Sequence, residues 1–420
     1  MEKYITIREQ IKAKNIEASN LFLRKLWSEL QMIRENGWFY QPFRKPGENR
    51  VYIGRCNFGD VSFDYKNKGC IENMYFENVK AGEEQGIRDA IRKARDIEDI
   101  NDFYVRIDIP NQGIGICCET DGETGCVVKK DRTSIYMQMQ AYGAKDLEYL
   151  LNKKMVVLCN ILMLFVDVFC DITSLETTIV PFREYSESLR ALDNTTEYDY
   201  EWVDLDELPT DRDGNRIVPV EAVRLWMDVA ASNFNEDKVE LLVNACRQFY
   251  TAKIMEKRCG GYLCDMGISN AVNSLMVSAL ETLAVLEGVQ PERCPACGNM
   301  KYSVVSNIKN LVEKYSNETF ANFICKEFYG QRSKFFHEGR LVTAERKIDV
   351  CWPQIDIKEQ TEMYQVQNTV NTNLSDWVGW LVRKVICEYY KGTGYRYPDR
   401  PCRTGSSNAP TVILHRLWSG

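Results

Sequence analysis

Two histidines occur in the chain, His337 and His415. Imidazole is the one side chain whose unperturbed pKa lies near neutrality, so these positions bound the histidine acid–base chemistry available. His415 sits in ILHRLW, within a basic tail. His337 sits in EFYGQRSKFFHEGR, at the end of an amphipathic stretch, where Gly339 can supply a left-handed carboxyl cap. A cationic imidazole there is favoured by the exposed carbonyls of the last turn. Arg332 precedes His337 by five positions, and Lys334 lies between them. A guanidinium is a rigid fork matched to phosphate oxygens, and an ammonium adds a point charge. Five residues subtend about 500°, which leaves Arg332 and His337 about 140° apart on an ideal helix. A curled arginine stem, or two copies meeting across a two-fold axis, would bring both groups to one phosphate. Residues 293–347 hold 10 Arg or Lys against 5 Asp or Glu, a net of +5 in a chain of formal charge −7. Such a region attracts a phosphodiester. The same residues also fit an ordinary helix end with solvated charges and a capping histidine.

A second cluster is Cys294-Pro-Ala-Cys297-Gly, which has the spacing of half a zinc site. Two further ligands would be needed. Cys259 and Cys264, in CGGYLC, are candidates, but an apolar helix of about 19 residues separates them from the knuckle. Such a helix spans about 28 Å. Cys325, Cys351 and a partner subunit are the other options. The alternative is a Pro/Gly turn with reduced thiols. A zinc ion here would be a structural staple and not the catalyst.

These residues need elements to position them. Residues 9–36 follow a helical stripe through Ile16, Leu23, Leu26, Leu30 and Ile33. GWFYQPF, RVYIGRCNFG, DVSFDYKN and NMYFENV are short, aromatic-rich and punctuated by Gly, Asn and Lys, as strands are. Residues 83–99 read as a charged surface helix. Residues 103–109, 113–119 and 134–140 read as strands, and Tyr149–Cys170 as one long apolar helix. From Asp193 to Glu240 there are 14 acidic and 4 basic residues, a net of −10. LPTDRDGNRIVP, inside that stretch, resembles a calcium loop but lacks its full spacing and closing Glu, so it reads as a turn. Beyond Pro219 helices are expected over 221–231, 238–256, 269–287, 303–315, 319–338 and 374–390, joined by modest loops, as in a helical bundle.

The chain has 420 residues, 45% apolar and 27% charged, with 25 Gly and 12 Pro. That balance excludes collagen-like, low-complexity and wholly disordered classes. No Walker A, G-x-G-x-x-G, H-E-x-x-H or G-x-S-x-G motif is present, so ATPase, dinucleotide oxidoreductase, zincin and α/β-hydrolase readings lose their usual support. The opening residues MEKYITIREQIKAKN show neither an apolar signal core nor a transit pattern. The longest apolar stretch, Met155 to Phe169, falls short of the roughly 20 residues of a membrane crossing. A cytoplasmic location and no membrane partner are expected. Cys159, Cys170, Cys325 and Cys387 lie in apolar runs and suit buried free thiols.

RSKFFH matches the R-x4-H signature of the HEPN ribonuclease superfamily, and its surroundings resemble the abortive-infection, Apea-like branch. In that branch a helix with a phrase like SALETL precedes one with a phrase like YGQRSKFFHEG. Here Ala279-Leu280-Glu281-Thr282-Leu283 precedes Tyr329 to Gly339. The likeness covers roughly residues 220–390. The strand and helix textures of the first 190 residues give an α+β N-terminal domain, and the resemblance implies that an all-α HEPN-like helical bundle follows it. The corresponding division is a sensor or regulatory domain over 1–190, an acidic linker over 191–218, a nuclease domain over 219–392 and a basic tail over 393–420. The resemblance further implies metal-independent RNA cleavage by a homodimer or higher homo-oligomer, in a bacterial toxin or anti-phage role answering a phage- or host-derived trigger. Arg332 would grip the scissile phosphate, and His337 would take the 2′-hydroxyl proton or protonate the 5′-oxygen. Products would carry 2′,3′-cyclic phosphate and 5′-hydroxyl ends. Tyr329, Ser333 and Lys334 would contact substrate. Ser333 stands where the family often has Asn, Asp or His. Gly339 stands where a second branch, whose toxins are modified by nucleotidyltransferases, has Tyr. A non-catalytic RNA- or protein-binding scaffold of the same fold is the main alternative, and a zinc-dependent enzyme at the cysteines ranks last.

Overall fold

The structure is a computed structural model that describes residues 4–34, 37–44, 49–67, 69–96, 100–111, 113–119, 122–189, 208–229, 237–259, 266–286, 304–330, 332, 354–355, 363–364, 368–392 and 412–413. An N-terminal sheet-rich region leads into a helical C-terminal region. The chain forms two compact units, Met1–Phe103 with Met139–Leu151, and Tyr104–Gln138 with Asn152–Gly420. The expected linker at 191–218 falls within the sequence of the second unit.

In the first unit, β1 (Tyr4–Gln10), β2 (Trp38–Arg44), β3 (Arg50–Cys56), β4 (Gly59–Asn67) and β5 (Cys70–Lys80) form one antiparallel sheet in the order β1-β5-β4-β3-β2. Side chains alternate between the two faces of a strand. Met74 and Phe76 therefore point into a core closed by Leu26 and Leu30 of α1 (Ile16–Ile33) and Ile87 and Ile91 of α2 (Glu84–Asp96). The helical stripe read from residue 9 begins later. Residues 4–10 pair with β5, Lys12 turns the chain at φ 56°, and Asn15 caps α1 by accepting from the Ala18 amide at 2.7 Å. On the other sheet face polar groups pair among themselves. Tyr75 donates to Asp64 at 2.7 Å, and Arg50 lies over the Tyr75 ring and pairs with Glu77.

The second sheet contains β6 (Asn101–Pro110), β8 (Thr124–Val128), β9 (Arg132–Ala141) and β10 (Glu176–Val180), in the order β10-β6-β9-β8, with residues 412–413 along β10. The short β7 (Ile116–Cys118) pairs in parallel with β11 (Arg216–Val218). Between these strands, the Asp211 carboxylate accepts the amides of Asp213 and Asn215 at 2.9 and 2.8 Å, so DRDGN is a turn closed on itself. The helices are α3 (Ala144–Val166), α4 (Phe182–Ser188), α5 (Val220–Asp228), α6 (Asp237–Cys259), α7 (Met266–Leu286), α8 (Val304–Tyr315), α9 (Glu318–Phe323) and α10 (Asn368–Gly392). The sequence patterns do not mark β8, β10 and α4. Each is short, at five to seven residues, and gives little periodicity to read.

The helix α3 is apolar around most of its circumference, so several of its faces must be covered. It is the one helix among the described residues long and apolar enough to cross a membrane, and 78% of its most apolar window is buried inside the protein. Buried cations pin neighbouring helices to it. Lys154, 1% exposed, donates to the carbonyls of Trp226 and Met227 at 3.2 and 3.1 Å, and the Trp226 indole donates back to the Lys154 carbonyl at 3.0 Å. The ammonium thus meets the negative end of α5. At the carboxyl end of α3, Arg383 of α10 donates to the Leu164 carbonyl at 3.0 Å and Arg216 to that of Val166 at 2.5 Å. Burial pushes the Arg383 pKa down to about 10, which leaves the guanidinium charged at neutral pH. Tyr390 joins α10 to α5 through Asp228 at 2.7 Å. The helix α10 can approach α6 closely because Gly379 faces Phe249; a Cβ there would meet the ring at 3.1 Å.

Lys154→Ala should destabilise the protein by about 3 kcal/mol, because it opens a cavity and leaves two carbonyls without their cation. Lys154→Met, which keeps the stem volume, should cost about half as much. Urea unfolding followed by tryptophan fluorescence reads both; equal midpoints for the wild type and Lys154→Ala would contradict the pinning role.

Candidate functional site

The helix α7 reads MGISNAVNSLMVSALETLAVL and carries one ionisable group, Glu281. Val277, Leu280, Leu283 and Ala284 are buried as it packs against α6, α8, α10 and the turn after α9. Glu281 therefore stands on a central helix whose other residues are neutral. Next to it, Thr282 donates to the side chain of Gln248 on α6 at 3.1 Å.

The helix carrying the arginine starts cleanly. Asn317 accepts from the Phe320 amide at 2.9 Å and caps α9. The rings of Phe320 and Trp377, 4.3 Å apart, tie this start to α10. The backbone then widens into a π-helical stretch over Ile324–Tyr329. A π turn takes an extra residue and so changes the azimuth of everything after it; such turns recur at functional sites. Ile324 and Phe328 remain buried through the turn. Helical backbone is found again at Gly330 and Arg332.

Arg332 arrives against Glu281. Its Nη2 lies 2.7 Å from Glu281 Oε2, with the two side chains 22% and 19% exposed. Its guanidinium carbon is 6.0 Å from the Tyr329 ring centroid. Burial raises the Glu281 pKa, and the positive charge of Arg332 opposes that rise. The pair is a half-buried, charge-assisted hydrogen bond. A guanidinium held this way offers directed positive charge, which suits an anionic group on a substrate.

Of the site residues expected from sequence, the structure brings Arg332 and Tyr329 together. Ser333, Lys334 and His337 lie outside the described residues. So do Cys264, Cys294, Cys297 and Cys351, while Cys259 closes α6. Cys325 is half-buried, with its thiol 3.7 Å from the Val305 carbonyl. Among the described residues no group of three or more His, Cys, Asp or Glu could hold a metal ion. In the sequence Glu281 stands within the SALETL phrase, outside the R-x4-H residues. Its signal was its isolation as a lone charge in a 21-residue neutral helix. No family model, curated protein sequence or solved structure matches the chain.

A raised pKa means that folded Glu281 holds its proton to higher pH than it does in the unfolded chain. Its contribution to stability is complete below the ordinary carboxylate range and is lost as pH rises through the raised value. Removing Arg332 takes away the opposing charge, so the loss extends further. The thermal midpoint of Arg332→Met should therefore fall further below that of the wild type at about pH 8 than at about pH 5. Equal deficits at the two pH values would contradict the pairing.

Proposed function

We propose that the chain is a HEPN-type RNA endonuclease that cleaves without a catalytic metal. The observation that carries this reading is the meeting of Arg332 and Glu281 at 2.7 Å, because it joins the two phrases on which the resemblance rests, SALETL and YGQRSKFFHEG. In the proposed reaction the 2′-oxygen attacks the adjacent phosphorus and the bond to the 5′-oxygen breaks. Arg332 stabilises the charge that accumulates on the phosphate oxygens. His337 removes the 2′-hydroxyl proton in one copy, and the histidine of a second copy supplies a proton to the departing 5′-oxygen. Two copies are needed because each chain places one histidine in the R-x4-H phrase. Tyr329, Ser333 and Lys334 line the path of the RNA backbone, Lys334 as a point charge.

The biological setting that fits is a cytoplasmic toxin or anti-phage effector. Unrestrained RNA cleavage harms its host, so the sheet-rich N-terminal region is assigned the sensing or restraint of the nuclease, answering a phage- or host-derived trigger. Zinc at Cys294 and Cys297, with Cys259 and Cys264 as possible further ligands, would serve as a staple and would take no part in the reaction.

Purified protein should cleave single-stranded RNA in excess EDTA. His337→Ala and Arg332→Ala should each lower the rate by about 10²–10⁴-fold. RNA that is bound but left intact by dimeric wild-type protein, across varied substrates, would favour a non-catalytic scaffold and contradict the nuclease reading.

A further inference from the structure

We infer that Glu281 is a positioning residue for Arg332, fixing the guanidinium in the orientation that meets the scissile phosphate. The inference rests on the nuclease reading above and adds to it a residue outside the R-x4-H phrase. Three observations carry it. Glu281 is the one ionisable group on α7, a helix that packs on four neighbouring elements. Its carboxylate is 19% exposed and raised in pKa, so its charge is held at a cost in solvation. Its partner is Arg332 at 2.7 Å, at the end of a π turn that sets the arginine's azimuth.

A neutral side chain at 281 would agree better with the rest of α7. Replacing a partly buried ion pair by apolar residues is often neutral or stabilising, so the pair is poorly explained by stability alone. It is well explained by orientation. An arginine stem has several rotatable bonds, and a guanidinium already held by a carboxylate on a rigid helix loses less freedom when a phosphate arrives. The carboxylate also has an electrostatic effect of opposite sign. It reduces the net positive charge at the site, which weakens general attraction of RNA. Positioning and attraction therefore pull apart when the carboxylate is neutralised.

The test compares full-length wild type, Glu281→Gln, Glu281→Asp, Arg332→Met and the Glu281→Gln/Arg332→Met double variant on a single-stranded RNA oligonucleotide in EDTA, with thermal midpoints measured in parallel. Glu281→Gln should lower kcat at least tenfold while KM stays within twofold or falls, since the site gains one positive charge. Glu281→Asp should lie between Gln and wild type, and it carries the test should the Gln variant fail to fold. In the Arg332→Met background Glu281→Gln should have no further effect on cleavage, and the midpoint changes of the two single variants should not add. A Glu281→Gln protein with unchanged kcat, whatever its midpoint, overturns the inference while the nuclease reading stands. Additive midpoint changes also overturn it, because the pair would then be uncoupled. Wild-type protein that leaves RNA intact overturns the nuclease reading, and the inference with it.

Discussion

A helix that is apolar around most of its circumference needs cover on several faces, and two such helices, α3 and α7, run through the second unit. The helix α3 fills its environment with cationic pins from α10 and from β11, and itself supplies Lys154 to the end of α5. The helix α7 is enclosed by α6, α8, α10 and the π turn. Enclosure leaves each exposed-looking carbonyl and each stray charge in need of a partner inside the protein. Much of the polar chemistry described above follows from that constraint. Lys154 and Arg383 are nearly inaccessible, yet both donate to carbonyls at the ends of helices, where the partial negative charge of the helix gathers.

Glu281 is the same problem solved at α7. A carboxylate at that position needs a cation, and the chain reaches one 51 residues later, at Arg332. The route there is built with some care in backbone terms: an asparagine cap, one short α-helix, aromatic contacts to α10, then a π turn. In the nuclease reading the pair turns a packing constraint into an aimed positive charge. An unaimed arginine could attract a phosphodiester, but acceleration requires the charge to sit where the transition state develops it.

The sequence disclosed the strands and long helices because their patterns are local. Aromatic, β-branched runs marked β2 to β6, and the long apolar run of α3, broken within the helix at Asn160, marked a buried helix. It disclosed less where the information is distributed. Residues 4–10 form β1 only because β5 offers them an edge, and β8, β10 and α4 are short elements stabilised by their neighbours. The domain division was read from the acidic stretch near 193–240, whereas compactness follows burial. An apolar helix such as α3 demands cover from whatever part of the chain supplies it, here α5 from within that stretch and α10 from beyond it. At the site, Arg332 was visible as a residue type and spacing. Its partnership with Glu281 was not, since no periodicity links positions 51 apart.

The central claim is the chemistry of strand scission by the 2′-hydroxyl, and the ends of the products report on it most directly. RNA cut by the purified protein in EDTA should carry 5′-hydroxyl ends that a polynucleotide kinase labels without phosphatase treatment, and 3′ ends closed as 2′,3′-cyclic phosphates. Fragments with 5′-phosphate and free 3′-hydroxyl ends would show that water or another nucleophile attacked, and would contradict the account.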